Sequence, residues 1–205
     1  MTYLKAALLI LLTCLFGLTY GQSDTVKTYL SIEEGLKEPE KVQKLALIGV
    51  QDADSLRLLA EFPNLISLSM VDDNSRVAPA FVSTLTGLRE LRFINDDFYT
   101  LPESYSNLVN LERIEFIYDT HLNIQNAFSF AGGLPALKEL RIEGLPGPVI
   151  SDQVVFPEAL RVLSLRNNHL NTLPQGIANL SQLEVLDIGN NEFLELPAYI
   201  AEMPN

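Results

Sequence analysis

Cysteine and tryptophan are almost absent from this chain of 205 residues, which has one cysteine, Cys14, and no tryptophan. Cys14 lies in an apolar segment near the N-terminus, and cleavage after that segment would leave a chain without thiols. Disulfides, thiol catalysis and thiolate metal sites are then excluded. The sequence also lacks GxSxG, HExxH, Walker and dinucleotide-binding glycine motifs. We therefore predict no catalytic residues, no cofactor and no metal centre.

Basic residues are few, with 14 Lys and Arg against 26 Asp and Glu, which gives a net charge of −12. Loss of Lys5 with the N-terminal segment would make it −12 − 1 = −13, since residues 1–22 contain no acid. An acidic chain repels nucleic-acid phosphates and anionic membrane surfaces. Neither nucleic acid nor membrane is therefore expected as a partner.

The N-terminal segment predicts export. Lys5 precedes the run ALLILLTCLFGL, which is too short to span a membrane comfortably and ends in small or polar residues up to Gly21. Residues 1–21 are therefore predicted to be a signal peptide of a secreted, periplasmic or cell-surface protein with no membrane span in its mature part. The alternative is lipid anchoring at Cys14, but Thr13 before it and the apolar run after it favour simple export.

The last two stretches of the chain repeat one pattern of 23 residues. LRVLSLRNNHLNTLPQGIANLSQ is followed directly by LEVLDIGNNEFLELPAYIAEMPN, and self-similarity at this period is typical of a solenoid. The pattern resembles that of the leucine-rich repeat family, LxxLxLxxNxLxxLP. The resemblance implies an α/β solenoid, or horseshoe, with a curved parallel sheet on its concave face. The lack of cysteine-stapled caps makes it closer to exported bacterial members.

Leucine-like residues at the first, fourth and sixth positions define seven units and hence about seven strands. Together they form a predicted repeat domain of residues 42–205. The units are 42–64, 65–87, 88–110, 111–136, 137–159, 160–182 and 183–205. The fourth is three residues longer than the others, and we place its extra length near residues 125–133. In the fifth unit, LPGP at residues 145–148 predicts an irregular turn.

Residues 22–41 are predicted to form a leader and a short capping helix. Ser31 and Glu34 match the capping-box pattern, and Pro39 would end the helix within about two turns. Such a helix would cover the first open edge of the solenoid.

The concave face, defined here as the sheet face that carries the third, fifth and seventh residues of each unit, holds the candidate binding residues. Charges alternate in sign along the third and fifth positions: Glu90, Arg113 and Glu139, then Arg92, Glu115 and Arg141. They form either a self-neutralising lattice or a recognition strip for a charged partner. The seventh positions give an apolar row of Ile48, Val71, Ile94 and Ile117 with Tyr118 beside it, and exposed apolar rows often mark contact sites.

The ninth position of the units changes from aspartate to asparagine along the chain. Asn168 and Asn191 carry the family asparagine, whereas Asp73, Asp96 and Asp119 occupy the earlier units. An ionised aspartate accepts hydrogen bonds but cannot donate one. We therefore expect these turns to be less well satisfied, or the carboxylates to face water. With Asp72 and Asp97 they would form an acidic column whose ability to hold a cation the sequence leaves open.

These patterns predict a non-catalytic binding module outside the cytoplasm that recognises a protein, or a glycan, through the concave face. The alternative is a structural or adhesive surface component that self-associates, as a possible homodimer, through an uncapped C-terminal edge. Apolar strand edges favour such pairing.

Overall fold

The computed structural model describes residues 26–145 and 150–203. The predicted signal peptide, residues 1–21, lies outside this part of the chain, as do residues 146–148 of the predicted irregular turn. No helix in the described ranges is both long enough and apolar enough to cross a bilayer.

The described residues form one open sheet of eight parallel strands in chain order, so the predicted α/β solenoid is confirmed. The strands are β1 Thr28–Tyr29, β2 Lys44–Ile48, β3 Ser67–Val71, β4 Glu90–Ile94, β5 Arg113–Ile117, β6 Glu139–Glu143, β7 Val162–Ser164 and β8 Val185–Asp187.

Equivalent residues of neighbouring units pair across the sheet. Leu68 pairs with Leu91, and Leu91 with Ile114. Side chains alternate between the two faces of a strand, so this register stacks the fourth and sixth residues of every unit on one face. These side chains are buried from β2 to β7 and form one continuous apolar core with the residues that return the chain.

The return segments are mostly short 3₁₀ helices, each opened by a proline. They span Ala80–Thr84, Glu103–Asn107, Gln175–Asn179 and Ala198–Glu202. The first unit instead has helix α2, Ala53–Arg57, followed by a 3₁₀ helix at Leu58–Glu61. The long fourth unit has helix α3, Ile124–Gly132, in the stretch where we placed its extra residues.

A short helix precedes the first unit as predicted, but a strand shares the capping role. Helix α1, Ile32–Gly35, has Ser31 as its N-cap, with Ser31 Oγ accepting from the Glu34 N–H at 3.1 Å. Glu34 Oε2 accepts from the Leu30 N–H at 3.0 Å, one residue earlier than in a standard capping box. Strand β1, in the segment that we predicted as a leader, pairs with the backbone of β2. The first edge is therefore closed by hydrogen bonding as well as by apolar cover.

The eighth residue of every repeat unit adopts a left-handed conformation. Asp72, Asn95, Tyr118, Asn167 and Asn190 have φ between 55° and 60°, and Gly49 and Gly144 have φ of 77° and 71°. Glycine, asparagine and aspartate tolerate this region, whereas a tyrosine there is uncommon. Tyr118 is therefore the exception among these turns.

Candidate functional site on the concave face

The charged residues of the concave face form a connected lattice. The Arg113 guanidinium bridges Glu90 at 3.0 Å and Glu139 at 2.6 Å. Arg141 contacts Glu139 at 2.6 Å and Glu115 at 3.7 Å, and Arg92 Nε lies 3.3 Å from Glu115. Three arginines and three glutamates thus neutralise one another across β4, β5 and β6. This geometry matches the self-neutralising interpretation of the alternating signs.

Burial and pairing act in opposite directions on the pKa values of this lattice. Burial alone would raise the pKa of Glu139, but the hydrogen bonds and charges of Arg113 and Arg141 outweigh it and lower that pKa. At Glu115 burial prevails over Arg92 and Arg141, and its pKa is raised. The lattice is therefore half-buried and partly desolvated, unlike a set of free surface charges.

The apolar row is in register but is exposed only in part. Ile48, Val71, Ile94 and Ile117 pair in sequence across β2 to β5. Ile48 is 48% exposed, whereas Val71 and Ile94 are each only 2% exposed, so the expectation that all four meet water is wrong for these two. Each of the two has a branched side chain on both sides at the ~4.8 Å strand spacing, which removes it from solvent. The accessible apolar surface consists of the ends of the row.

Tyr118 extends this surface at its far end. It is 39% exposed, has φ of 60°, and donates its backbone N–H to the Glu143 carbonyl at 2.7 Å. Its ring lies against Gly144, where a Cβ atom would overlap the ring carbons Cδ1 and Cε1. Gly144 thus makes room for the tyrosine, a supporting role that we did not predict. The glycine at the eighth position of the next unit is the only sequence signal for it.

The acidic column divides into buried and surface carboxyl groups. Asp73, Asp96 and Asp119 are each 1% exposed, so of the two predicted alternatives the one in which they face water is wrong. Asp73 Oδ2 and Asp119 Oδ2 have no hydrogen-bond partner, as the alternative of less well satisfied turns predicts. Asp96 Oδ1 accepts from the Asp73 N–H at 2.7 Å, and Asp119 Oδ1 from the Asp96 N–H at 2.8 Å. These bonds link the three aspartates into a ladder. Asp72 and Asp97 lie outside it: Asp72 accepts from Asn95 Nδ2, and Asp97 contacts His121 Nδ1. Within the described ranges, no three His, Cys, Asp or Glu side chains gather in a way that could hold a metal ion.

The two histidines lie apart, each beside a carboxylate of a neighbouring unit. His121 Nδ1 is 3.0 Å from Asp97 Oδ1, and His169 Nδ1 is 2.8 Å from Glu192 Oε1. Both histidines are exposed, and neither lies on a strand of the concave face. The His121 ring also packs against Tyr99, with centroids 5.1 Å apart.

The last unit is less covered than the others. Val185, Leu194 and Leu196 are exposed, and Leu186 and Ile188 are only partly buried. Their counterparts one unit earlier, Leu163 and Leu165, are fully buried. Among the described residues, β8 has a neighbouring strand on one side only.

Comparison with known proteins agrees with this architecture. Residues 158–200 match a family model described as leucine rich repeats (2 copies). No curated protein sequence matches the chain.

Solved structures with a similar fold include two from Listeria monocytogenes. The internalin InlF of strain 4b F2365 is 20% identical over 77% of this chain and 43% of that chain, with a TM-score of 0.53. InlP is 21% identical over 79% of this chain and 48% of that one, with a TM-score of 0.55. A complex of TLR13 with ssRNA13 is 20% identical over 86% of this chain and 29% of that one, with a TM-score of 0.60. At these identities the likeness shows the fold alone, and the chain covers less than half of each.

Proposed function

We propose that this leucine-rich repeat solenoid is a non-catalytic binding module that recognises a protein outside the cytoplasm through its concave face. Solenoids of this kind offer extended surfaces that commonly serve protein binding. The extracytoplasmic location rests on the apolar, Lys5-led segment at residues 1–21.

The observation that carries the proposal is the conformation of Tyr118. A bulky side chain in the left-handed region costs about 1–3 kcal/mol and persists only where its surroundings enforce it. Here Gly144 accommodates the ring, which remains 39% exposed. Exposed tyrosines held in one orientation lose little entropy on binding and are enriched among interface hot spots. Tyr118 and the adjoining Ile117 form the anchor of the proposed contact.

The rest of the surface determines what kind of partner fits. The lattice of Glu90, Arg92, Arg113, Glu115, Glu139 and Arg141 has no net charge, and its members are already paired. A strongly charged partner would have to break these pairs, whereas a protein surface of mixed polarity would not. The net charge of −12 further disfavours an RNA partner such as that in the TLR13 complex. A protein therefore fits this surface best, and a glycan is the alternative.

The proposal is tested by cross-linked pull-downs from cell-envelope and culture-medium extracts, with Ile48→Asp and Tyr118→Ala as variants. Ile48 is suitable because it is 48% exposed, whereas Ile94→Asp would bury a charge and unfold the chain. Val109→Asp is the matched control, since Val109 is 46% exposed and lies outside the strands. All variants must first keep the wild-type circular dichroism spectrum.

We expect a captured protein to be lost with Ile48→Asp and Tyr118→Ala and retained with Val109→Asp. Retention in all three variants would contradict a contact on the concave face. Loss of capture after enzymatic deglycosylation of the extract would show that the recognised partner is a glycan and not a protein surface.

The exposed last unit favours self-association as a second candidate function. Val185, Leu194 and Leu196 are exposed in the unit of β8, which has a neighbouring strand on one side only among the described residues. Open edges of this kind pair readily with another chain. Leu194→Asp should then convert a concentration-dependent dimer to a monomer in light scattering, whereas Ile48→Asp should not. A wild-type chain that is monomeric at tens of micromolar would eliminate this candidate.

A further inference from the structure

The asparagine ladder of the last units shows which hydrogen bonds the ninth position must satisfy. Asn168 Oδ1 accepts from the Leu145 N–H at 2.9 Å, and its Nδ2 donates to the Ile142 carbonyl at 2.6 Å. Asn191 repeats the pattern, with Oδ1 accepting from the Asn168 N–H at 2.9 Å and Nδ2 donating to the Leu165 carbonyl at 2.6 Å. Each side chain therefore serves as acceptor and as donor to the preceding unit.

The aspartates of the earlier units reproduce only the acceptor half. Asp96 and Asp119 each accept the backbone N–H of the preceding ladder residue. Ile142 occupies the sixth position of the unit before Asn168. The residues at the sixth position of the units before Asp96 and Asp119 are Met70 and Phe93, so their carbonyls correspond to that of Ile142. Asp96 Oδ2 accepts the Ile94 N–H at 3.2 Å, whereas Asp119 Oδ2 is buried and has no hydrogen-bond partner. An ionised carboxylate would place a negative oxygen where the asparagines place an N–H donor.

We propose that Asp96 and Asp119 remain protonated at neutral pH, forming a ladder of neutral carboxylic acids in which the retained proton replaces the asparagine N–H donor. Each carboxyl group then accepts the backbone N–H through Oδ1 and offers an O–H to the preceding strand. The proposal involves only the retention of this proton and no other covalent change. The ladder thereby becomes sensitive to alkaline pH, which its asparagine half is not.

The groups that face the ladder favour the neutral form. Asp96 lies between Asp73 and Asp119, and Asp97 stands beside Asp119. Tyr105, in the 3₁₀ helix Glu103–Asn107, is neutral because burial and the carboxyl groups of Asp96 and Asp73 raise its pKa. Its hydroxyl donates to the Pro79 carbonyl at 2.9 Å. None of the main influences on Asp96 or Asp119 is a positively charged side chain.

This environment accounts for the pKa values of Asp96 and Asp119. Burial, reinforced by Asp119, raises the pKa of Asp96 to about 9, although backbone N–H bonds oppose the rise. Burial raises the pKa of Asp119 to about 8 against the same kind of opposition. An unfolded aspartate has a pKa of about 3.9.

The sign of the pH effect is opposite to that of a salt-bridged aspartate. Between about pH 4 and the folded pKa, the native state holds protons that the unfolded state has released. The stabilisation is thus complete below about pH 4 and is lost progressively as pH rises towards 8 and 9. Each such group increases the unfolding equilibrium constant about tenfold per pH unit in this window.

The experiment compares the wild-type chain with Asp96→Asn/Asp119→Asn by urea denaturation at pH 5, 6, 7 and 8. Asparagine restores the N–H donor, so the variant is expected to fold. Asp72→Asn is the matched control, because Asp72 precedes a ladder residue directly but bonds to Asn95 Nδ2 outside the ladder. Two groups at about tenfold per pH unit each should raise the ratio of unfolding constants, wild type over double variant, about 10⁴-fold from pH 5 to pH 7. The control should leave the wild-type pH dependence unchanged.

A direct observation of protonation accompanies the denaturation. Carboxyl carbon NMR signals of Asp96 and Asp119, assigned from the single asparagine variants, should not titrate between pH 3 and pH 7. Titration of both near pH 4, or a constant ratio of unfolding constants, would overturn the proposal. So would stabilisation by added Ca²⁺ in the wild-type chain but not in the double variant, since the ladder would then hold a cation in place of protons.

Discussion

Individual side chains at the ninth position divide the solenoid into two chemically different parts. In the last units an amide satisfies both the N–H and the carbonyl of the preceding turn, at 2.9 Å and 2.6 Å for Asn168. In the middle units a carboxyl group of similar size occupies the same place. The two differ in one group, the amide NH2 in place of a second carboxyl oxygen, so exchanging them tests what that group contributes.

Asn168→Asp should destabilise the chain by about 1–3 kcal/mol at pH 7, because it removes a buried donor to the Ile142 carbonyl. The introduced carboxyl group should have a raised pKa, so the loss should shrink as pH falls towards 5. Urea denaturation at both pH values measures the difference.

Asn167→Asp is the control for Asn168→Asp. Asn167 has φ of 56° in the turn, a position that Asp72 occupies naturally in the second unit with the same φ. The control should lie within about 0.5 kcal/mol of the wild type at either pH. Equal losses for the two variants would mean that the ladder contributes nothing specific.

Gly144→Ala should displace the Tyr118 ring, since the added Cβ would overlap two of its carbons. Gly144 also has φ of 71°, which disfavours alanine by itself. We expect a loss of about 1–3 kcal/mol in urea denaturation and a large shift of the Tyr118 ring resonances.

Gly87→Ala serves as the comparison for Gly144→Ala, because the nearest atom to its added Cβ, the Leu65 carbonyl oxygen, is 3.8 Å away. It should leave both the stability and the Tyr118 resonances near their wild-type values. Unchanged Tyr118 resonances in Gly144→Ala would show that the glycine does not hold the ring.

Among the elements, helix α3 is where the chain departs most from its own repeat. It replaces a five-residue 3₁₀ helix with nine residues of α-helix, and Ile124, Ala127, Phe128 and Ala131 bury its inner face. Its Phe130 ring packs on Tyr105 of the preceding unit, with centroids 5.9 Å apart. Its Phe128 ring packs on Phe156 of the following unit, with centroids 5.4 Å apart. The inserted residues therefore link neighbouring units by packing.

Gly132→Ala tests how closely the end of α3 fits against the next unit. Its Cβ would overlap the Val155 backbone carbonyl, which cannot rotate away as a side chain could. We expect a loss of about 1–3 kcal/mol even though alanine favours a helix over glycine. Thermal unfolding followed by circular dichroism measures it.

Gly133→Ala differs from Gly132→Ala by one position at the end of the same helix. The Cβ would be 3.5 Å from the nearest atom, an ordinary contact, and Gly133 has a helical φ of −84°. We expect it to be neutral or slightly stabilising. A Gly132 variant as stable as the Gly133 variant would indicate that the backbone at Val155 moves aside.

The sequence predicted those elements whose signal recurs in each unit. Leucines at fixed spacing gave the strands and their register, and the three extra residues marked the unit that holds α3. Strand β1 was missed because its two residues, Thr28–Tyr29, are too few to show any periodicity. The burial of Val71 and Ile94 was missed because it depends on branched neighbours one strand away on each side. The φ of Tyr118 was missed because tyrosine gives no sign of a left-handed conformation.

Across the described residues, the acidic groups whose pKa values are shifted fall into two classes with opposite responses to pH. Burial is opposed and outweighed at Glu139 by Arg113 and Arg141, and at Asp187 by the Gly189 N–H and Arg166, so both pKa values are lowered. Burial prevails at Asp96 and Asp119, where the pKa values rise to about 9 and about 8. The first class stabilises the fold above its unfolded pKa and loses that contribution as pH falls. The second stabilises it below its unfolded pKa and loses that contribution as pH rises.

The stability of the chain should therefore be greatest between about pH 4 and pH 5 and decline in both directions. Below about pH 4.5 the paired carboxylates take up protons and the lattice loses its ion pairs. Above about pH 4 the unfolded state has released the ladder protons while the native state retains them, so unfolding becomes easier up to about pH 9. The midpoint of urea denaturation, followed by circular dichroism from pH 3 to pH 9, measures this profile. A midpoint that stays level from pH 5 to pH 8 would mean that the ladder carboxyl groups are ionised in the native state and do not control the stability. Repeating the series with Asp96→Asn/Asp119→Asn should flatten the alkaline side and leave the acidic side in place, because the lattice is untouched by these substitutions.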